Sequence, residues 1–362
     1  MTERPLSSLG AEYGLYLARL DLPLQRPVKD GQIGRSKMRI RTATSIITLG
    51  LCVALAAATE PLPEGNGLAS RYPGDVGIAS DSAVIFADDF ESYISGSGLA
   101  SHWSSVFQMA NIRISTETGN FFGGSKALEF TIPQTTGEVA NSVARTISPE
   151  RDVLFLRYYS KYDAAHNMVG STHNGGIISG RYCCPGVKAD GFNKFLVSYE
   201  AARFDAATPR PGELMAYVYH PDQRSGFGDG FWPTGVIAPY STSPPFSFGP
   251  DFVSRQNVVP VAGRWYAYEL MVKTNTPGQR NGRIALWLDG VLIADFVNIR
   301  LRETTELKID RFTLDYHMAS NAATSKKWYD NVVAATSYIG PMVTSGSQGP
   351  APPTNLRIIP SE

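Results

Sequence analysis

The sequence predicts an all-β protein, a jelly roll or β-sandwich in which two antiparallel sheets pack face to face. Three observations carry this prediction. Strand-like alternation recurs in about ten short segments between residues 83 and 339. Turn-forming residues separate these segments, and the chain contains 34 Gly and 24 Pro. Many short strands joined by frequent turns are typical of double-sheet antiparallel folds.

The clearest strand signal lies between residues 263 and 294. The segment Trp265–Lys273 alternates between an apolar face and a mixed face. Asn281-Gly282 and Asp289-Gly290 are dipeptides that accept the positive φ of tight hairpin turns. We therefore predict three antiparallel strands here. Such a meander is typical of sugar-handling β-sandwiches, and we expect it to supply one wall of a groove.

Nine further candidate strands complete the set, and two of them, Arg283–Leu288 and Val291–Phe296, are the later strands of this meander. The nine are Ala110–Thr116, Lys126–Ile132, Val153–Tyr162, Lys194–Glu200, Glu213–Tyr219, Arg283–Leu288, Val291–Phe296, Lys308–Tyr316 and Trp328–Ala334.

The first 58 residues indicate export. Met38-Arg39-Ile40-Arg41 is a short basic stretch, and the apolar run that follows ends in three alanines at Ala58. The run is too short to span a bilayer and has the layout of a secretory signal peptide. We predict that 1–37 is an over-extended gene start upstream of the true initiating Met38, that 38–58 is a signal peptide, and that the mature chain is secreted or periplasmic without a membrane span. The alternative is a genuine N-terminal extension with a buried apolar segment.

Composition also sets the remaining domain boundaries. Residues 59–80 are rich in Gly, Pro and Ser and lack apolar periodicity, which predicts a linker. The folded domain is predicted at 81–342. Residues 343–362 are predicted to be a second linker followed by the start of an appended module.

Charge argues against a nucleic-acid partner. The first 58 residues carry eight of the 33 Lys and Arg and four of the 33 Asp and Glu, which leaves 25 basic and 29 acidic residues for the rest. This mildly acidic remainder has no global basic field of the kind that nucleic-acid binding requires. We expect a monomer whose partner is a polysaccharide, and a polyanionic one would need a locally basic cleft.

Cysteine usage excludes a disulfide framework. After removal of the signal only Cys183 and Cys184 remain. Adjacent Cα atoms lie ~3.8 Å apart across a trans peptide, so a bridge between them would be strained. Two free thiols and a vicinal disulfide both stay open.

Several catalytic signatures are absent from the sequence. It contains no Walker loop, no His-Glu-x-x-His and no Gly-x-Ser-x-Gly elbow. It also lacks the Glu-x-Asp-x-x-Glu strand of retaining β-glucanases, since Glu150-Arg151-Asp152 has no following Glu.

Five motifs occur in an order that resembles one family. The first three are Thr172–Arg181 with its Gly-Gly pair, Gly191–Glu200, and Glu213–Gln223 with Tyr217-x-Tyr219. The Trp-led strand and Tyr329-Asp330-Asn331-Val332 follow them. In this order they resemble the concanavalin-A-like jelly-roll polysaccharide lyases, the alginate and glucuronan lyases, and the related fungal cellulose-induced protein. Ile177 and Ser179 stand where that pattern has Lys and Pro, and Lys194 stands where Arg is common.

The resemblance implies β-elimination from a uronic acid. That reaction needs a group that neutralises the substrate carboxylate and a base within reach of the adjacent proton. Tyr217 and Tyr219 lie two apart on one strand and therefore share a face. We predict one of them as base and acid, with His173 as the competing base. Lys194 and Arg181 are predicted to clamp the carboxylate, with His173 and Arg181 flanking a Gly-rich loop over the cleft.

Five further residues are predicted to contact substrate. The five are Asn174, His220, Trp232, Glu269 and Lys273. Structural alternatives stay open for several of the predicted residues: ordinary packing for Tyr217 and Tyr219, a solvated face for Lys194, a strand end for His220 and a loop anchor for Trp232.

The resemblance also implies a structural calcium ion. The first and last strands of a jelly roll are commonly neighbours, and calcium prefers several hard oxygen ligands. The implied ligands are Glu91, Ser125 and Asp330. The alternative is a set of solvated turn carboxylates.

Three functional hypotheses follow. The first is a secreted lyase that cleaves a uronate-bearing polysaccharide. The second is a non-catalytic carbohydrate-binding protein of the same fold. The third is a glycoside hydrolase that uses Glu200 with Glu213 or Glu269.

Overall fold

The computed structural model describes residues 60–170, 172–238, 247–319, 321–343 and 357–358. The predicted extension at 1–37, the signal peptide at 38–58 and most of 343–362 lie outside the described residues. The strands are β1 (Val84–Asp88), β2 (Ser105–Phe107), β3 (Ile112–Ser115), β4 (Ala127–Ile132), β5 (Val139–Arg151), β6 (Val153–Tyr162), β7 (Thr172–His173), β8 (Gly176–Gly180), β9 (Phe195–Ala202), β10 (Glu213–Tyr219), β11 (Asp229–Phe231), β12 (Ile237–Ala238), β13 (Val258–Val259), β14 (Tyr266–Lys273), β15 (Gly282–Leu288), β16 (Val291–Ile299), β17 (Ile309–Met318), β18 (Ser325–Ala335) and β19 (Arg357–Ile358).

The predicted all-β sandwich is confirmed. One sheet, here called the groove sheet, has the order β12-β11-β10-β9-β8-β17-β5-β2, with β7 paired to β17. The other, the back sheet, has the order β16-β15-β14-β6-β18-β4-β3, with β1 paired to β18. Helical structure within the described residues consists of short 3₁₀ turns at Leu68–Arg71, Pro73–Asp75, Ile78–Ser80, Gly96–Ser101 and Met109–Asn111. No helix in this part of the chain is long and apolar enough to cross a membrane.

Alternation along the strands separates the core from the open face of the groove sheet. On β10, Leu214, Ala216 and Val218 join the main core, whereas Tyr217 and Tyr219 belong to a separate cluster on the open face. The same period of two runs through β9 and β17. Every second side chain of each central strand therefore lies on the open face.

Residues 60–80 are not a linker, which corrects the prediction for 59–80. Leu68, Ala69 and Ile78 are buried in a cluster with Trp287 on the outer face of the back sheet. Asp75 forms an ion pair with the fully buried Arg157. The segment lacks periodicity because it is a series of short turns, but its apolar side chains, its backbone hydrogen bonds and this ion pair attach it to the sheet.

The Trp-led meander forms β14, β15 and β16 as predicted, but these strands belong to the back sheet. They form one edge of the back sheet, whereas the open face belongs to the other sheet of the sandwich. The expectation that they supply one wall of the groove is therefore wrong.

Candidate active site

A cavity of about 170 Å³ opens on the open face of the groove sheet. Its walls come from six strands (β5, β7, β8, β9, β10 and β17) and from one residue that follows β8. The lining residues are Ser142, His173, Ile177, Ser179, Tyr182, Leu196, Glu200, Tyr217, Arg311, Thr313 and Asp315. Two of the residues predicted from sequence to be catalytic, His173 and Tyr217, are thus brought together, and their catalytic role stays a prediction.

The Gly-rich segment is the centre of the groove sheet, and the prediction of a loop over the cleft is wrong. Strand β8 pairs with β9 on one side and β17 on the other. A Cβ on Gly175 would lie 1.7 Å from the Tyr199 carbonyl oxygen, and one on Gly176 would lie 2.3 Å from the Tyr158 ring. The two glycines are therefore required because core tyrosines and the neighbouring strand approach the backbone directly.

His173 is held by a buried carboxylate. Its Nδ1 lies 2.8 Å from Glu200 Oε1, and the Glu200 side chain is almost fully buried. Its ring stacks on His317, the residue opposite it on β17, and contacts the Tyr217 ring. Burial opposes the charged imidazolium, but Glu200 outweighs burial and raises the pKa of His173 to about 9. His173 is therefore a cation at neutral pH and a proton donor, whereas the sequence suggested a competing base.

We expect an NMR titration of the His173 ring to report a pKa of about 9. Because the folded value lies above the ordinary 6.5, this pair stabilises the fold fully below pH 6.5 and loses its contribution as the pH rises through about 9. Glu200→Gln should bring the pKa below 6.5, because only burial would then remain as a large influence. Glu138→Gln, which alters the partner of His317, is the control and should move the His173 titration much less. A wild-type value near 6.5 would contradict the prediction.

Asp315 is a buried carboxyl in the same cavity. Burial raises its pKa to about 7, His173 lowers it, and the negative Glu200 raises it further. Its Oδ1 accepts no hydrogen bond from any described residue. At neutral pH the protonated and ionised forms of Asp315 are therefore both populated, which suits this carboxyl to proton transfer.

The two tyrosines of β10 differ in access. Tyr217 lines the cavity, and its hydroxyl accepts a hydrogen bond from Gly228 N at 3.0 Å. Burial, followed by the neighbouring Tyr219, raises the pKa of Tyr217, so its hydroxyl stays protonated. Tyr219 is 1% exposed, packs edge-on against Tyr182 and does not line the cavity.

The predicted carboxylate clamp is not assembled. The Lys194 ammonium donates to the Cys183 and Cys184 carbonyls at 2.9 and 2.6 Å and lies over the Tyr182 and Tyr219 rings. It therefore secures the loop that carries the two exposed, unbridged cysteines. Arg181 donates to the Glu306 carbonyl at 2.6 Å and lies outside the cavity lining. Both side chains are committed to backbone oxygens.

Two predicted substrate contacts are buried instead. The Asn174 side chain is inaccessible, donates to the Ala201 carbonyl and accepts from Ala201 N, both at 2.9 Å, so it joins β7 to β9 from the core side. His220 is 1% exposed, and its Nε2 lies 3.0 Å from Asp229 Oδ2. Neither side chain lines the cavity.

The remaining three predicted contacts lie elsewhere. Glu269 and Lys273 are on β14 of the back sheet, and Glu269 accepts the backbone N–H groups of Ile339 and Gly340, each at 2.8 Å. Trp232 is on the groove-sheet side but lines a neighbouring recess of about 250 Å³ with Glu213. Glu213 and Glu269, proposed as partners of Glu200 for hydrolysis, are therefore not part of its cavity.

Sequence reasoning missed the contribution of β17. Arg311, Thr313 and Asp315 all line the cavity, and their spacing of two places them on one face. This alternation is visible in the predicted strand Lys308–Tyr316. The residues lie well over a hundred positions beyond His173, so nothing local in the sequence shows that β17 pairs with β7 and β8.

The three implied calcium ligands converge at one loop. Glu91 accepts Ser125 N and Ser125 Oγ, each at 2.7 Å, and Asp330 Oδ2 accepts Phe122 N at 2.7 Å. Burial, reinforced by the negative charge of Glu91, raises the pKa of Asp330 to about 7. A buried carboxyl whose ionised form is disfavoured by a neighbouring carboxylate is a setting in which a cation is favourable.

The same loop offers a neutral oxygen. Asn331 is 6% exposed, and its Oδ1 accepts no hydrogen bond within the described chain. A Cβ on Gly123 would lie 2.9 Å from that atom, so only glycine leaves room for it. No group of three or more His, Cys, Asp or Glu side chains among the described residues could hold a metal ion. A calcium ion here would therefore need two carboxylates together with neutral oxygens, and the residues present fit that requirement.

The fold is a jelly-roll sandwich, and it is similar to the folds of solved polysaccharide lyases. An alginate lyase superimposes with a TM-score of 0.52 at 17% identity, over 69% of this chain and 96% of its own. A variant of that lyase in complex with alginate trisaccharide gives 0.52 at 17% identity, over 70% and 98%. The endo-β-1,4-glucuronan lyase from the fungus Trichoderma reesei gives 0.46 at 16% identity, over 70% and 96%. No family model and no curated protein matches the chain.

Proposed function

We propose that this protein is a secreted polysaccharide lyase that cleaves a uronate-bearing polymer by β-elimination. The observation that carries the proposal is the meeting of the His173 imidazolium, the Asp315 carboxyl and the Tyr217 hydroxyl in one cavity of the groove sheet. The likeness of the fold to alginate lyases supports the polysaccharide as partner. The signal-like segment at 38–58 supports export.

Each group has a role in such a reaction. His173, positively charged and held by Glu200, would donate to the substrate carboxylate and so make the adjacent C–H more acidic. Asp315 in its ionised form would take that proton. The electron pair forms the new C=C bond as the glycosidic C–O bond breaks, and Tyr217 would give its proton to the leaving oxygen. Water then returns Asp315 and Tyr217 to their starting forms.

The test is incubation with alginate, glucuronan and related polyuronates. Elimination creates an unsaturated, ultraviolet-absorbing end at every cut, which hydrolysis does not. Wild-type protein should release this product, and an Asp315→Asn variant should release far less, because an amide cannot take the proton. Binding of these polymers without any unsaturated product would favour the non-catalytic alternative and overturn the lyase.

A glycoside hydrolase is the second candidate, and one observation favours it. Glu200 and Asp315 are two carboxyl groups on the same cavity, and burial pushes the pKa of Asp315 well above that of an ordinary carboxyl. Such a pair could divide the roles of acid and base. New reducing ends without the unsaturated product would support this candidate.

We also propose a structural calcium ion held by Glu91, Ser125 and Asp330, with Asn331 Oδ1 as a neutral ligand. The ion would offset the repulsion between the two carboxylates and join the opening segment to the closing strand. Saturating calcium should raise the melting temperature above the value in chelator, since binding at about 100 times Kd stabilises a fold by about 2.7 kcal/mol. Asp330→Asn should remove this response, whereas Asp315→Asn should retain it. Equal melting temperatures with calcium and chelator would overturn the calcium proposal.

A further inference from the structure

We infer that Arg311, flanked by Ser179 and Thr146, is the subsite that receives a carboxylate of an acidic polysaccharide. The inference rests on the proposed function in one respect, that the ligand is a polyuronate. It adds a cation on β17 to the His173 imidazolium that the proposed mechanism already uses, and the sequence suggested no site residue in this strand.

Arg311 is an exposed guanidinium without a partner. It lies on the cavity wall and forms no hydrogen bond or ion pair with any residue in the described part of the chain. Ser179 on β8 and Thr146 on β5 are opposite it in the ladder, so hydroxyl side chains stand on both sides. No carboxylate occupies either cross-strand position, which leaves the positive charge available to a ligand.

The His173 imidazolium in the same cavity is paired with Glu200, and four other cations of the domain are also engaged. Lys194 and Arg181 bind backbone carbonyls, and Arg145 donates to the His102 carbonyl at 2.5 Å. Arg302 pairs with Asp152. Arg311 therefore differs from these four in having both its charge and its five donors free for a planar anion.

The position of Arg311 also accounts for a departure from the lyases that this chain resembles. Ile177 stands on β8 where their pattern has Lys, and Ile177 pairs with Thr313 on β17. Arg311 is two residues from Thr313 on the same face, and it lines one cavity with Ile177 and Ser179. The cation is thus supplied by the adjacent strand, and the small Ser179 leaves room for it.

The experiment measures binding separately from turnover. Calorimetry would be performed with the full chain in a Tyr217→Phe background, which suppresses cleavage, with alginate trisaccharide and neutral cellotriose as probes. Arg311→Gln should weaken alginate trisaccharide binding about tenfold or more, because a charge-assisted bidentate contact is lost. Arg311→Lys should recover part of the affinity. Cellotriose binding should change little.

Arg181→Gln is the matched control, since Arg181 carries the same charge a short distance outside the cavity. It should bind alginate trisaccharide within about twofold of the parent. Binding by the parent should weaken as salt rises, and this dependence should be smaller for Arg311→Gln.

The outcomes separate this inference from the proposed function. Undiminished trisaccharide binding by Arg311→Gln, an equal loss in Arg181→Gln, or no binding by the parent would overturn it. If trisaccharide binding depends on Arg311 but the wild type forms no unsaturated product, the subsite is retained and the lyase proposal is rejected. Unsaturated product formed equally well by wild type and Arg311→Gln would retain the lyase and reject the subsite.

Discussion

Replacing Tyr217 with Phe should lower the rate of polyuronate cleavage about 10²–10⁴-fold, the usual contribution of a positioned general acid. Tyr217 lines the cavity beside His173, and burial together with Tyr219 keeps its hydroxyl protonated at neutral pH. Without that hydroxyl, the leaving sugar oxygen would depart as an alkoxide. The loss should therefore appear in kcat, with KM changed much less, when unsaturated product is followed by ultraviolet absorbance.

Tyr219→Phe is the matched control for this prediction. The two residues lie on the same face of β10, but Tyr219 is 1% exposed and is covered by Tyr182. Its hydroxyl does not line the cavity and is hydrogen-bonded to Tyr217 and Tyr182, so we expect a loss below about tenfold. A larger loss in Tyr219→Phe than in Tyr217→Phe would reverse the assignment. Equal melting temperatures would exclude unfolding as the cause.

The fold was predictable because its signals are local. Alternation with period two and the turn dipeptides are properties of a few neighbouring residues, and the predicted strands Val153–Tyr162 and Glu213–Tyr219 match β6 and β10. Strand β8 was missed because Gly176 and Gly180 interrupt its alternation. Glycine there reflects the close approach of Tyr158 and Phe195, which is a tertiary contact that the sequence does not display.

The candidate site was only partly predictable for a similar reason. Tyr217 could be found because the face it shares with Tyr219 is set by spacing along one strand. Lys194 has a suitable residue type and a suitable strand, yet its ammonium binds the cysteine carbonyls. Asp315 and Arg311 required knowledge of which strand lies beside β8. Residue type and spacing identify candidates, whereas strand order decides which of them meet.

The attachment of residues 60–80 leads to the largest expected stability effect. Arg157 is fully buried in the back sheet, and its Nη2 lies 2.5 Å from Asp75 Oδ2. Removing one partner of a buried ion pair leaves an uncompensated charge, which commonly costs 3–5 kcal/mol. Asp75→Asn keeps the shape and tolerates the left-handed φ of 58° at this position. We expect it to lower the free energy of unfolding by about 3 kcal/mol in urea titrations.

A double-mutant cycle tests the physical cause. Asp75→Asn combined with Arg157→Met removes both charges, so the double variant should recover much of the stability that Asp75→Asn loses. The exposed pair between Arg113 and Glu117 is the matched control, because its side chains are 44% and 51% exposed. Glu117→Gln should cost less than about 1 kcal/mol. Similar costs for Asp75→Asn and Glu117→Gln would mean that 60–80 is held by its apolar side chains and backbone hydrogen bonds rather than by the ion pair. The buried arginine would then need another source of compensation, and Glu269 on the back sheet is one carboxyl that favours its charge.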